Sequence, residues 1–392
     1  MKYKLKDLAV IKRGASPRPI NEFVSEKGYP WLKISDFSLN DKFVYKTKEF
    51  IIEAGLKKTR YVKSGTLIVT NSATPGIPIF LMKDMCLHDG FLYFESISPK
   101  IDKEYLYYFI LNNRSKLIKL GNGSVFVNLK KEILEKYEIE LPSIDVQHKV
   151  ARYLSVIDEK IKLNNEINDN LCEQIKATYK RIIDGSNNLK VTRIGDLPIY
   201  VTDYVANGSF ASLKENVTLY QEPNYAYFIR NTDLKSGNFD VYVDEHSYNF
   251  LSKSTLKGKE IIISNVGDVG SVFLCPKLNK PMTLGNNVIM IEPEDEKLRY
   301  YLYSLFKWFD GYNLIQGIKG GSAVPKFNKT DFKNIKINLP LEKELEEFNN
   351  FVSPYFEKII QNQDANKRLS ELRDSLLPKL MSGEIDVDSI EL

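Results

Sequence analysis

The chain is written twice. Leu141-Pro142 recurs as Leu339-Pro340, and the same offset of 198 carries Gly123 to Gly321, Ser124 to Ser322 and Lys131 to Lys329. It also carries Glu159-Lys160-Ile161 to Glu357-Lys358-Ile359, Asn164 to Asn362, Asn168 to Asn366, Leu171 to Leu369 and Gly185 to Gly383. One offset held without a gap over about sixty residues marks a duplicated structural unit, because chance matches scatter among offsets. Upstream the likeness thins and the offset drifts. Lys33-Ile-Ser-Asp36 resembles Arg230-Asn-Thr-Asp233 at 197, and Asn71 and Gly76 resemble Asn265 and Gly270 at 194. Each half is a variable part followed by a preserved part, so one scaffold was kept while its first portion diverged.

The preserved part predicts a long helix. Val150, Ile157, Asn164, Leu171 and Thr178 follow at seven-residue steps, and so do Leu154, Ile161, Asn168, Ile175 and Ile182. Together they form an apolar stripe interrupted only by two central asparagines. Pro142-Ser143 and Asp145 suit its start, and Asp184-Gly185 suits its stop. The second copy reads Phe348, Tyr355, Asn362, Leu369 and Leu376 with Val352, Ile359, Asn366, Arg373 and Leu380, and stops at Ser382-Gly383. A helix of about 40 residues is about 60 Å long and must bury such a stripe. The expectation is an antiparallel coiled coil of the two copies. Its interface is Val150, Leu154, Ile157, Ile161, Asn164, Asn168, Leu171 and Ile175 against Tyr355, Ile359, Asn362, Asn366 and Leu369. Buried Asn pairs weaken such a seam but fix its register. The alternative is two ordinary core helices, one per domain.

The variable parts mix strands and helices. Thr66-Leu-Ile-Val-Thr and Glu260-Ile-Ile-Ile-Ser read as buried strands, each running into an Asn/Gly turn at 71–76 and 265–270. Tyr105-Leu-Tyr-Tyr-Phe-Ile-Leu and Tyr300-Tyr-Leu-Tyr-Ser-Leu-Phe read as core helices with aromatic faces. The fold class is α+β, with two similar modules joined by two long helices in a pseudo-two-fold repeat. The expected division is module one at 1–142, helix one at 143–185, module two at 186–341, helix two at 342–383 and an acidic tail at 384–392.

Motifs for chemistry are missing across several classes. No GxxxxGK[ST] phosphate loop and no Asn-Pro-Pro-aromatic tetrapeptide occurs. Cys86, Cys172 and Cys275 form no CxxC, and His88, His148 and His246 show no metal-ligand spacing, so neither a catalytic nor a metal site is expected. No apolar run reaches the roughly 18–20 residues that span a bilayer, and no secretory leader is recognised; the expectation is a soluble, cytoplasmic chain. Formal charge is +4, a mild excess compatible with nucleic acid without requiring it. Basic residues gather at turns. Lys12, Arg13, Arg18, Lys33, Lys57 and Arg60 stand in the first half, Arg230, Lys235, Lys319 and Lys326 in the second, and Lys131 and Lys329 match between halves. These cations and the paired Asn71 and Asn265 are the candidate DNA contacts, lysines for phosphates and Arg or Asn for base edges. Each also reads as an ordinary surface residue.

Variable module, Gly-Ser and Leu-Pro signals, a long helix with Glu-Lys-Ile, then all of it again: the layout resembles the specificity subunit of bacterial type I restriction–modification systems. The resemblance covers essentially the whole chain, including the ending Leu376-Leu-Pro-Lys-Leu-Met-Ser-Gly-Glu-Ile385. It implies a non-catalytic subunit whose modules each read one half of a bipartite double-stranded DNA target. It implies that the helix pair sets the gap between half-sites and docks two adenine-methylating subunits, and restriction/translocase subunits through them. It implies no cofactor in this chain, S-adenosylmethionine residing in the methylating partner. A stand-alone DNA-modifying or DNA-cleaving enzyme with duplicated halves, and a purely structural adaptor, are the rival readings.

Overall fold

The strands Leu67–Thr70 and Ile261–Ser264 are buried at every residue. A strand covered on both faces reads as an unbroken apolar run, and these two lie inside their sheets. The computed structural model describes residues 1–37, 42–120, 128–186, 188–321 and 324–389. Gly123, Ser124 and Ser322, part of the repeat signature, lie outside the described residues. The chain forms two compact units, one of residues 1–164 with 365–392, the other of residues 165–364.

In the first unit one sheet orders Ala9–Arg13, Phe91–Ile97, Leu67–Thr70, Pro78–Leu81 and Phe43–Val44. A second orders Val24–Ser25, Glu49–Ile51, Tyr29–Leu32, Met85–Leu87 and Arg60–Val62. Lys2–Lys4 pairs antiparallel with Glu138–Glu140. The second unit repeats this plan. Ile199–Asp203, Val288–Pro293, Ile261–Ser264 and Val272–Leu274 form one sheet. Leu219–Tyr220, Tyr242–Val243, Ala226–Ile229, Met282–Leu284 and Thr255–Leu256 form the other, and Lys190–Arg193 pairs with Lys336–Leu339. The aromatic helices are Lys103–Asn112, which buries Tyr105, Tyr107 and Tyr108, and Glu296–Trp308, which buries Tyr300 and Tyr301. Tyr108 and Tyr301 are 0% and 1% exposed. Among the described residues no helix is long and apolar enough to cross a membrane.

The long helices are Ile144–Gly185 and Glu342–Ser382, and each unit holds a segment of both. At the first start, the Ser143 carbonyl accepts from Gln147 N at 3.0 Å. Within the first unit Asn164 Nδ2 donates to Asn366 Oδ1 at 2.8 Å, and within the second Asn362 Nδ2 donates to Asn168 Oδ1 at 2.8 Å. Asn164 and Asn362 are related by the 198 offset, and so are Asn168 and Asn366, so the two contacts are equivalent by the repeat. The paired segments run antiparallel: Asp158 meets Arg373 while Asn164 meets Asn366, and Ser186 meets Glu344 while Asn168 meets Asn362. None of the residues in the four seven-step rows is exposed. Asn164, Asn168 and Asn362 are buried, and an amide buried against another amide keeps its hydrogen bond only in one register.

Candidate nucleic-acid interface

Hydrogen bonds to the backbone build the same corner in both units. In the first, the strand Leu67–Thr70 turns at Asn71, and Gly76 N returns to Thr70 O at 2.8 Å. In the second, Gly270 N returns to Ser264 O at 3.0 Å. Gly76 and Gly270 take φ of +81° and +99°, a left-handed backbone open to glycine, which explains their recurrence. Asn71 N donates to Gly90 O and accepts at its own carbonyl from Leu129 N; Asn265 does the same with Asn287 O and Phe327 N. Asn71 Nδ2 donates inward to Asp89 O at 3.2 Å and the residue is only 5% exposed. Asn265 Nδ2 donates to Phe327 O at 3.4 Å. These asparagines tie a strand turn to the segment leading toward the long helix; the Asn71 side chain is turned inward and buried, whereas Asn265 is half-buried.

The first unit's corner is cationic. Arg13 ends its strand and its Nε donates to Asp89 O at 2.9 Å. Ser16 Oγ donates to Asp89 Oδ1 at 2.8 Å. His88 packs on Trp31 at 5.5 Å between ring centroids, and its Nδ1 stands 2.9 Å from Gly90 N and 3.1 Å from Asp89 Oδ1. Burial holds the His88 imidazole below its ordinary value; Asp89 opposes this, and Lys33, Arg18 and Arg13 add to it. Arg13, Arg18 and Lys33 all bear on this one ring. Burial raises the Tyr93 pKa, and Glu95 adds to this while Lys12 and Arg60 oppose it. Lys12 is drawn to Glu95 at 2.6 Å, and Arg60 and Lys57 are exposed.

In the second unit the same corner is a cleft of about 760 Å³. Asp203 ends the strand there, opposite Ile289 as Arg13 stands opposite Leu92. Asp203 Oδ1 accepts from Lys329 Nζ at 2.9 Å. Lys326 and Lys214 line the cleft, are exposed, and have no carboxylate partner among the described residues. Asn286 and Asn287 form one rim, Asn287 with φ +65°. Phe210, 80% exposed, and Val205, 43% exposed, form an apolar wall. Sequence reading missed Phe210, Lys214 and the two asparagines because no spacing links residues 203, 214, 287 and 326.

Other candidates have local roles. Lys33 and Arg230 recur because each precedes a short helical turn: Lys33 N donates to Asp36 Oδ2 at 2.8 Å and Arg230 N to Asp233 Oδ2 at 2.9 Å. Lys33 also pairs with Glu49. The Arg230 guanidinium is held by Asp233 and by Asp240 at 3.0 Å. Lys235 pairs with Asp268 at 2.6 Å, Lys131 with Glu135 at 3.3 Å, and Lys319 donates to Gln316 Oε1 at 2.7 Å.

One module used twice, its corner side chains unlike while the backbone is alike, defines a duplicated recognition scaffold. The model of the type I restriction modification DNA specificity domain matches residues 1–173 and, again, residues 190–371. The chain belongs to this family, and it is accordingly a DNA-recognition subunit of the type I restriction–modification class, not itself an enzyme. The specificity subunit of type I restriction enzyme MjaIX from Methanocaldococcus jannaschii is 28% identical across 99% of this chain and 94% of its own length. The HindI specificity subunit of Haemophilus influenzae is 21% identical across 88% of this chain and 92% of its own. The crystal structure of a type I system S subunit from M. genitalium has a TM-score of 0.55 at 17% identity, covering 97% of this chain and 95% of that one, a likeness of fold.

Proposed function

We propose that each module reads one half of a split DNA target, while the helix pair sets the unread gap and holds two adenine-methylating subunits. Restriction/translocase subunits join through those partners, and S-adenosylmethionine belongs to the methylating subunit. The setting is the cytoplasm. The observation that carries the reading is the corner: backbone hydrogen bonds repeat from Asn71 to Asn265, yet Arg13 is replaced by Asp203 and His88-Asp89-Gly90 by Gly285-Asn286-Asn287. A shared frame with unlike side chains suits two readers of unlike sequences. Replacing residues 1–142 by the corresponding module of another such subunit is expected to change one half of the methylated motif, mapped by adenine-methylation sequencing of the host. A motif altered in both halves overturns the reading.

A further inference from the structure

We infer that Arg13 is the guanine reader of the first module, presenting a preset guanidinium fork to the N7 and O6 of one guanine in that module's half-site. The inference rests on the proposed function and names one base that the module reads. An exposed arginine has many rotamers to lose, but this one is fixed at three levels. Its backbone pairs with Leu92 at the end of its strand. The residues that follow leave no slack. Gly14 N donates to Phe91 O at 2.9 Å and Ala15 N to Leu87 O at 3.0 Å, and a Cβ on Gly14 would collide with His88 O. The guanidinium itself is held along one edge, Nε donating to Asp89 O at 2.9 Å and Nη2 standing 3.8 Å from Asp89 Oδ2. Asp89 is anchored in turn. Its Oδ1 accepts from Ser16 Oγ at 2.8 Å and its carbonyl from the buried Asn71 amide at 3.2 Å.

The far end of the fork stays open. The side chain is 58% exposed, and among the described residues no hydrogen bond takes Nη1 or Nη2. Two N–H groups on one rigid plane match two acceptors on one base edge, and in the major groove guanine offers N7 and O6 side by side. The second module keeps the frame and loses the fork together with its holder. Asp203 stands in the place of Arg13 and Asn286 in that of Asp89. Asp203 Oδ1 accepts from Lys329 Nζ and from Ala206 N, both at 2.9 Å. A backbone phosphate is common to both half-sites, whereas a given base belongs to one. A preset fork that is present in one module and absent from the other follows the base.

The test uses the full chain assembled with its methylating partner. Affinity is measured for a duplex bearing the methylated motif and for a scrambled duplex of equal length, over a series of salt concentrations. Arg13→Ala is expected to lower the preference for the motif duplex by about 5- to 150-fold, the range of one bidentate base contact. In the unsubstituted complex, each guanine of the half-site assigned to residues 1–142 is replaced in turn by 7-deazaguanine, which lacks the N7 acceptor. One position is expected to weaken binding several-fold. Hypoxanthine there, which keeps N7 and O6, is expected to leave binding unchanged. In Arg13→Ala the 7-deazaguanine replacement is expected to cost nothing further, and methylation sequencing of a host carrying the variant should show that one position degenerate and the other half-site intact. A half-site without a G·C pair, an unchanged preference in Arg13→Ala, or a 7-deazaguanine loss that persists in that variant overturns the inference. So does an equal loss on both duplexes with a salt slope shallower by about 1, the mark of a phosphate contact. In any of these cases the proposed function survives if exchanging residues 1–142 still changes one half of the motif, and fails if that exchange changes both.

Discussion

At the position where a module meets the helix pair, the two units use opposite physics. In the first, Asp158 is buried at 6% exposure and accepts from Arg373 Nη1 at 3.0 Å and from the Tyr108 hydroxyl. Lys42, itself buried, stands 3.5 Å from Asp158 and 2.6 Å from Glu104. Burial by itself would lower the Arg373 pKa, but the Asp158 carboxylate holds it above its ordinary value. By the 198 offset, Asp158 corresponds to Phe356 and Arg373 to Ile175. In the second unit Phe356 stacks on Tyr300 at 4.3 Å with rings 5° from parallel, and meets Tyr303 edge-on at 5.5 Å. Phe356 and Ile175 belong to one apolar cluster. One scaffold position accepts a four-member charge network or a stack of rings. Shape and burial are what the duplication kept there. A buried ion pair adds little net stability over a well-packed apolar pair, but removing one partner strands the other.

The strongest way to break this comparison is Asp158→Ala. It leaves the buried Lys42 with Glu104 alone and the half-buried Arg373 with Asp374 alone, and the expected cost is about 3–5 kcal/mol by denaturant unfolding. A loss below about 1 kcal/mol, the scale of an exposed pair, would mean that water reaches the network. The comparison is sharpened by making the first unit resemble the second. Asp158→Phe combined with Arg373→Ile is expected to be neutral or to stabilise by about 1–4 kcal/mol, since Lys42 keeps Glu104. A double variant as damaged as Asp158→Ala would show that the network, and not the volume, is required. The smallest effect is expected at His88, whose counterpart is Gly285. Its imidazole pKa is lowered in the folded chain, so the unfolded chain takes up the proton first. Stability is then fully present above about pH 6.5, the ordinary imidazole value, and falls as pH drops below it, by about 1 kcal/mol or less. Melting temperature against pH should lose this component in His88→Gln; an unchanged profile removes His88 as the source.

Much of this was legible along the chain. The seven-residue rows pick out side chains that are nowhere exposed, and the asparagines at 164, 168, 362 and 366 meet as the antiparallel register requires. The apolar runs at 67–70 and 261–264 are buried strands. These features depend on period and offset, which are properties of order. The candidate DNA contacts were less legible. Lys33 and Arg230 recur for a turn cap, and Asn71 and Asn265 for a backbone tie, because repeated residues mark what a duplicated frame needs before they mark what it reads.

The amino-acid order alone therefore determined the duplication, the long helices and their antiparallel asparagine register, since each follows from periodicity and from what a stripe of apolar side chains must do in water. Only the folded chain decided which charges are spent on neighbours and which stay free. Lys42 closes on Asp158 across 116 positions of sequence, and Lys214 and Lys326 come to one cleft from elements 112 residues apart. Sequence fixes which groups a chain owns, whereas electrostatic pairing falls off with distance in space, and that distance exists only once the sheets have closed.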